Sequence, residues 1–160
     1  QHFDLCRDFR VFDTRHGRVG LLICEDVWHL SSAIILGQQQ PDIIIAPSAT
    51  SITTLNNLCE IQMRWEILSR AIAMTQAAYF IYCNQSGTED RLIFWGGSHM
   101  VSPYGEIIER LPRLEEDTGS WMIDTDYIGS CKQALPLAEK EKNDVNIRHF
   151  NRFAETKEAE

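Results

Sequence analysis

The stretch Gly17-Arg18-Val19-Gly20-Leu21-Leu22-Ile23-Cys24-Glu25-Asp26-Val27-Trp28 decides the fold. Residues 18–24 are almost wholly apolar and read as a central strand. Ahead of them, residues 10–14 alternate apolar and polar side chains, as a half-buried strand does, and His16-Gly17 is a turn signal. The two strands are expected to form a hairpin. Beyond them, residues 28–38 carry Leu30, Ile34 and Ile35 at helical spacing and end near Gly37. Cys24 therefore stands between a strand and a helix. A nucleophile on such a turn is held rigidly at the carboxyl edge of a sheet, and backbone N–H groups just past it face a developing oxyanion. The helix N-terminus favours a thiolate there, whereas the adjacent carboxylates Glu25 and Asp26 oppose it. The competing reading of Cys24 is a small buried hydrophobe.

Further along, Pro41-Asp42 opens a short buried strand over residues 43–46, which Pro47 is expected to stop. Residues 48–54 are small and polar, a loop. Leu55, Leu58, Ile61, Trp65, Leu68 and Ile72 then recur every three or four residues, the apolar face of a long helix. Residues 79–83 read as a strand and 85–91 as a polar loop. Residues 98–102 and 106–111 read as two strands about the turn Pro103-Tyr104-Gly105, and 121–124 as one more. Past Tyr127 the chain turns polar and charged, an extension packed on a neighbour or left loose. Crossover helices between strands, together with hairpins, give an α/β fold with a mixed β-sheet.

The chain has 160 residues, enough for one domain with a sizeable core. Its 15 Lys and Arg against 23 Asp and Glu leave a net charge of −8. No basic field suited to nucleic acid or to an anionic membrane surface is present, and every apolar run falls far short of the ~20 residues needed to span a bilayer. The five cysteines, Cys6, Cys24, Cys59, Cys83 and Cys131, form no C-x-x-C pair. That argues against a disulfide framework or a zinc knuckle and suits a reducing, cytoplasmic setting. No signal-peptide pattern opens the sequence. It starts at Gln1 and enters a strand-like pattern almost at once, so a piece of a longer protein is expected.

The nucleophile segment from Gly17 to Trp28 resembles that of the nitrilase superfamily, the carbon–nitrogen hydrolases. Its C-E-D-x-W form is closest to the branch containing the glutaminase domains of glutamine-dependent NAD synthetases. Pro41-Asp42-Ile43-Ile44-Ile45-Ala46-Pro47-Ser48-Ala49 resembles the next strand and substrate-facing loop of that family. Asn84-Gln85-Ser86-Gly87 and Gly96-Gly97-Ser98 resemble its later loops, Pro103-Tyr104-Gly105-Glu106 its P-x-G-x hairpin, and Asp124 lies where it has a closing strand. The resemblance implies part of a four-layer α-β-β-α sandwich. It also implies hydrolysis of a non-peptide amide or nitrile carbon–nitrogen bond through a thioester acyl-enzyme. Cys24 would attack the carbonyl or nitrile carbon, a glutamate would act as general base and acid, and a lysine with the backbone N–H of Glu25 would stabilise the tetrahedral intermediate. No metal and no organic cofactor takes part in that chemistry. The substrate would be a small amide or nitrile, and a homo-oligomer paired through the helices near the nucleophile is implied.

The family's glutamate and lysine lie upstream of the cysteine, and the 23 residues ahead of Cys24 contain neither type. Their acids are Asp4, Asp8 and Asp13, and their bases Arg7, Arg10, Arg15 and Arg18. Lys132, Lys140, Lys142 and Lys157 are too far downstream to substitute. Residues 1–140 therefore read as the C-terminal portion of a carbon–nitrogen hydrolase domain, and 141–160 as a charged extension. On the long helix, Thr75 and Gln76 replace the glutamate and asparagine usual in the family.

The substrate pocket is assigned to Trp28, Ser48 and Ala49, against core packing for Trp28 and loop capping for Ser48. Glu25 and Asp26 are expected to order the turn through backbone N–H bonds or ion pairs, not to move protons. His29 is not assigned a catalytic role. Asn84 and Glu89 are expected to border the pocket or to be plain surface polarity. A non-catalytic subunit acting as a binding or assembly module is the alternative to an enzyme, and a redox-regulatory thiol protein is a third reading.

Overall fold

His16-Gly17 closes the predicted hairpin: β1 (Val11–Thr14) runs antiparallel to β2 (Gly17–Leu21), with Thr14 opposite Gly17 and Val11 opposite Gly20. This computed structural model describes residues 8–157, so the expectations placed on Asp4, Cys6, Arg7 and residues 158–160 fall outside it. After β2 comes the 3₁₀ turn Cys24–Trp28 and helix α1 (Leu30–Gly37). Strands β3 (Ile43–Ser48) and β4 (Ser51–Ile52) precede the long helix α2 (Leu58–Gln76). Strands β5 (Tyr79–Asn84), β6 (Ser86–Glu89), β7 (Leu92–Trp95), β8 (His99–Val101) and β9 (Ile107–Arg110) follow. Helices α3 (Thr125–Ala134) and α4 (Asn143–Lys157) complete the described chain.

The main sheet has the order β1-β2-β3-β5-β8-β9. β2, β3 and β5 are parallel, as crossovers through α1 and α2 require. The β5–β8 and β8–β9 pairs are antiparallel, so the sheet is mixed as expected. A second, three-stranded sheet runs β4-β7-β6. On one face of the main sheet Leu22, Ile44, Ala46, Phe80 and Tyr82 are fully buried with Leu36 of α1 and Trp65, Ile72 and Ala73 of α2. Each large side chain so buried contributes roughly 1.5–3 kcal/mol. On the other face, Tyr79 and Met100 are covered by Ile128 of α3 together with Trp121 and Ile123. Toward β1 and the end of β2 that face is open, with Phe12 51%, Leu21 38% and Ile23 60% exposed.

Several local expectations change. The helix expected over residues 28–38 is split, because His29 is extended at φ −100° and ψ 97° and α1 starts only at Leu30. Pro47 does not stop β3, which runs on to Ser48. The ladder with β2 ends at Leu21–Ile45, so beyond that point β3 needs hydrogen bonds only toward β5, and a residue without an N–H is tolerated. The loops expected over 48–54 and 85–91 contain β4 and the β6–β7 hairpin. Leu55 is exposed in a 3₁₀ turn ahead of α2 and does not join the helix's apolar face.

The strand expected over 121–124 is absent; those residues cross the sheet face unpaired, and Asp124 instead caps α3 by accepting from the N–H groups of Asp126 and Tyr127. The charged extension is largely helical. Its approach is docked on the end of α1, where Gln38 donates to Ala138 O at 3.2 Å and accepts from Asn143 Nδ2 at 2.6 Å. Among the described residues no helix is long and apolar enough to cross a membrane.

Candidate active site

Three parallel strands end at one edge of the main sheet, and the chemistry-bearing residues sit where they end. Cys24 follows β2, Ser48 is the last residue of β3, and Asn84 is the last residue of β5. Ligands of open parallel sheets bind outside such carboxyl ends.

Cys24 has φ 47°, the left-handed region that a residue with a Cβ rarely adopts. Backbone strain of this kind persists only where its surroundings enforce it. Here the enforcing group is Asp26. Its carboxylate accepts the Ile23 N–H at 2.8 Å, while its own N–H donates to Ile23 O at 3.0 Å. Residues 23 and 26 are thus clamped to each other with Cys24 and Glu25 between them. The Glu25 N–H lies ahead of the first hydrogen bond of the turn, among the donors that a helix start leaves without an internal partner. The Glu25 side chain points outward and pairs with His29 at 3.6 Å, both well exposed. Asp26 therefore orders the turn as expected, whereas Glu25 meets a histidine.

Cys24 itself is half-buried. Trp28, at the end of the same turn, is partly exposed and meets Trp65 of α2 edge-on, ring centroids 5.5 Å apart. Trp65 stacks on Tyr82 of β5 at 4.3 Å, and Tyr82 lies against Trp95 at 5.8 Å and His99 at 5.0 Å. Trp28 is thus the outermost ring of an aromatic column. Ser48 is half-buried, its hydroxyl 3.4 Å from Ala46 O, and Ala49 is exposed. Asn84 is a structural pin: it accepts the Thr50 N–H at 2.8 Å and donates to Gly96 O at 3.0 Å, so one side chain ties the loop after β3 to the end of β7.

Beneath the column His99 is buried; its Nδ1 donates to Gly97 O at 3.1 Å, which leaves Nε2 to accept from Ser69 Oγ at 3.0 Å. Burial lowers its pKa and keeps it neutral, outweighing the opposing pull of the Gly97 carbonyl. Burial likewise pushes the Tyr82 phenol up.

The downstream lysines stand elsewhere. Lys132 pairs with Asp42 just ahead of β3, at the sheet edge opposite Cys24. Lys140 and Lys142 border a cavity of about 500 Å³ between α1, α2 and the segment leading to α4. Among the described residues no cluster of three or more His, Cys, Asp or Glu is disposed to hold a metal ion.

Residues 4–133 match the family model of the carbon-nitrogen hydrolases. The chain belongs to that family. Omega-amidase NIT2-A of Xenopus laevis is 29% identical over 138 residues, which make up 86% of this chain and 48% of that protein. The nitrilase and fragile histidine triad fusion protein NitFhit of Drosophila melanogaster is 29% identical over 137 residues, 85% of this chain and 28% of that one. This carbon-nitrogen hydrolase chain spans about half the length of the omega-amidases it matches. Its fold superposes on the carbon-nitrogen hydrolase of Helicobacter pylori G27 with a TM-score of 0.80 at 23% identity, covering 89% of this chain and 52% of that one. The glutamine-dependent NAD+ synthetase of Acinetobacter baumannii gives a TM-score of 0.61 at 27% identity, covering 72% and 21%. The mixed α/β fold is that of these carbon-nitrogen hydrolases, and the neighbours include the synthetase branch to which C-E-D-x-W pointed.

What sequence reasoning missed is the aromatic column. Tyr82 shares its strand face with Phe80 and reads as one more core residue; its place under the Cys24 turn depends on α2 and β7, which no local pattern joins to β5.

Proposed function

We propose that Cys24 is the nucleophile of an amide-hydrolysing site. The observation that carries this reading is the left-handed Cys24 held by the Asp26–Ile23 clamp at the carboxyl edge of three parallel strands. The sulfur attacks the carbonyl carbon, and the Glu25 N–H donates a hydrogen bond to the developing oxyanion. The C–N bond then breaks, the nitrogen leaves with a proton from a general acid, and water hydrolyses the thioester. Trp28, Ser48 and Ala49 line the entrance. The relatives' names point to small amides as substrates, and the chemistry uses no cofactor.

The general acid–base glutamate and the lysine come, in this reading, from outside the described residues. The open face bearing Phe12, Leu21 and Ile23 is the surface on which the segment supplying them packs, completing the four-layer sandwich. This chain alone is then inactive and is the C-terminal portion of the domain. Leu30, Ile35, Met63 and Ile67, exposed on α1 and α2, supply an apolar face for a homo-oligomer. A cytoplasmic location fits the free thiols.

The test is Cys24→Ser in the full-length protein, with ammonia release measured on a panel of small amides. Turnover is expected to fall to background with the fold retained. Turnover close to that of the parent sinks the proposal and favours the binding-module alternative.

A further inference from the structure

Tyr82 is fully buried, and its hydroxyl has no hydrogen-bond partner. Such a group costs about 1–3 kcal/mol unless something repays it. Thr50 Oγ1 is likewise buried with no hydrogen-bond partner. The register places Tyr82 opposite Ala46, and β2 joins β3 at the same level through Leu22 N–H to Ile45 O at 3.1 Å. Leu22, Ala46 and Tyr82 are all buried on the helix-covered face, and Cys24 lies two residues past Leu22. Ala46, the residue between them on β3, carries only a methyl group. Trp28 and Trp65 bridge the same gap from above. Burial holds the Tyr82 phenol in its protonated form, and a negative Cys24 adds to that in smaller measure.

From this arrangement we infer that the Tyr82 hydroxyl is a positioning group for Cys24, donating a hydrogen bond to its sulfur once the thiolate forms. The inference rests on Cys24 being the nucleophile. A neutral thiol is a weak acceptor and a thiolate a strong one, so the bond is made only in the charged state and favours that state. Tyr82 stays protonated throughout and moves no proton. The other titratable groups around Cys24 have different partners: Asp26 holds Ile23, Glu25 faces His29, and His99 beneath Tyr82 bonds Gly97 and Ser69.

The experiment is Tyr82→Phe in the full-length protein, read by the pH dependence of iodoacetamide alkylation at each cysteine through peptide mass spectrometry. Cys59 and Cys83, both exposed, are internal references. The Cys24 profile is expected to move to higher pH, slowing its alkylation about tenfold at neutral pH, with the references unchanged. Thr50→Val, which spares the phenol, leaves the profile in place. A Cys24 profile identical in Tyr82→Phe and parent, whatever the thermal midpoint does, overturns the inference. That outcome is distinct from failure of the amidase reading, which shows as turnover surviving Cys24→Ser.

Discussion

Lys132 Nζ sits 2.7 Å from Asp42 Oδ1, at the end of the sheet away from Cys24. The same carboxylate accepts the Arg18 N–H at 2.9 Å through its other oxygen. Asp42 thus joins α3, the start of β2 and the start of β3, and Lys132 is committed to a structural task. Lys132→Met is expected to cost about 1 kcal/mol, the upper end for a partly exposed pair. Turnover of the full-length protein should not change. Chemical denaturation and steady-state kinetics on the same preparation check both halves; a collapse in turnover at unchanged stability would contradict a purely structural role for Lys132.

The clamp on the Cys24 turn gives a second expectation. Asp26→Ala removes the acceptor of the Ile23 N–H and should lower stability by about 1 kcal/mol, as loss of a capping side chain does. Asp26→Asn keeps an acceptor oxygen and should recover much of that. Cys24 alkylation ought to track the clamp: altered in the alanine variant, closer to the parent in the asparagine variant. Equal behaviour of the two variants would mean that the negative charge matters and the hydrogen bond does not.

His99 makes stability depend on pH. Its folded pKa lies below the ordinary 6.5, so on acidification the unfolded chain takes up the proton first. The contribution is complete above about pH 6.5 and declines as the pH falls from there through the lowered folded value. Glu66, whose pKa is lowered chiefly by the Arg110 guanidinium, adds its own loss further into acid. Urea midpoints between neutral pH and pH 5 should fall in the parent and flatten in His99→Gln. A parent midpoint independent of pH over that range contradicts this account.

Gly97 and Gly87 separate crowding from backbone strain. Both have positive φ, 63° and 110°. A Cβ on Gly97 would lie 2.1 Å from the Trp95 ring, whereas one on Gly87 would meet nothing within 4 Å. Gly87→Ala should cost roughly 1 kcal/mol for conformation alone. Gly97→Ala adds a clash with the aromatic column and should cost at least about 2 kcal/mol, with a change in tryptophan fluorescence. Similar losses in the two variants would show that the Trp95 ring gives way freely.

The parts legible in the sequence are those whose signals are local. Residues 18–24 are apolar because β2 is central, and Trp65 and Ile72 mark the face of α2 because helical spacing is read within one element. Strand pairs such as β6–β7 escaped because Ser86, Thr88 and Glu89 are polar on an edge, where pairing needs no burial. Residues 121–124 misled in the opposite sense: Trp121 and Ile123 alternate like a strand, but their apolar side chains dock onto Tyr79 and Met100 without any backbone partner. At the site, Cys24 was visible through the residues around it. The Asp26 clamp was half visible, as a carboxylate near N–H groups. Tyr82 was invisible as a site residue, since its neighbours come from three separate elements.

The Asn84 side chain also bears on how this site can be altered. Because one amide grips Thr50 and Gly96 together, the loop after β3 and the far end of the β6–β7 hairpin are mechanically one piece. Grafting either loop from a relative without the other would leave half of that grip unmatched. If this edge binds substrate as proposed, its selectivity is inherited as a block with Asn84 as hinge pin, and exchange of substrate range should succeed only when both loops are transplanted together.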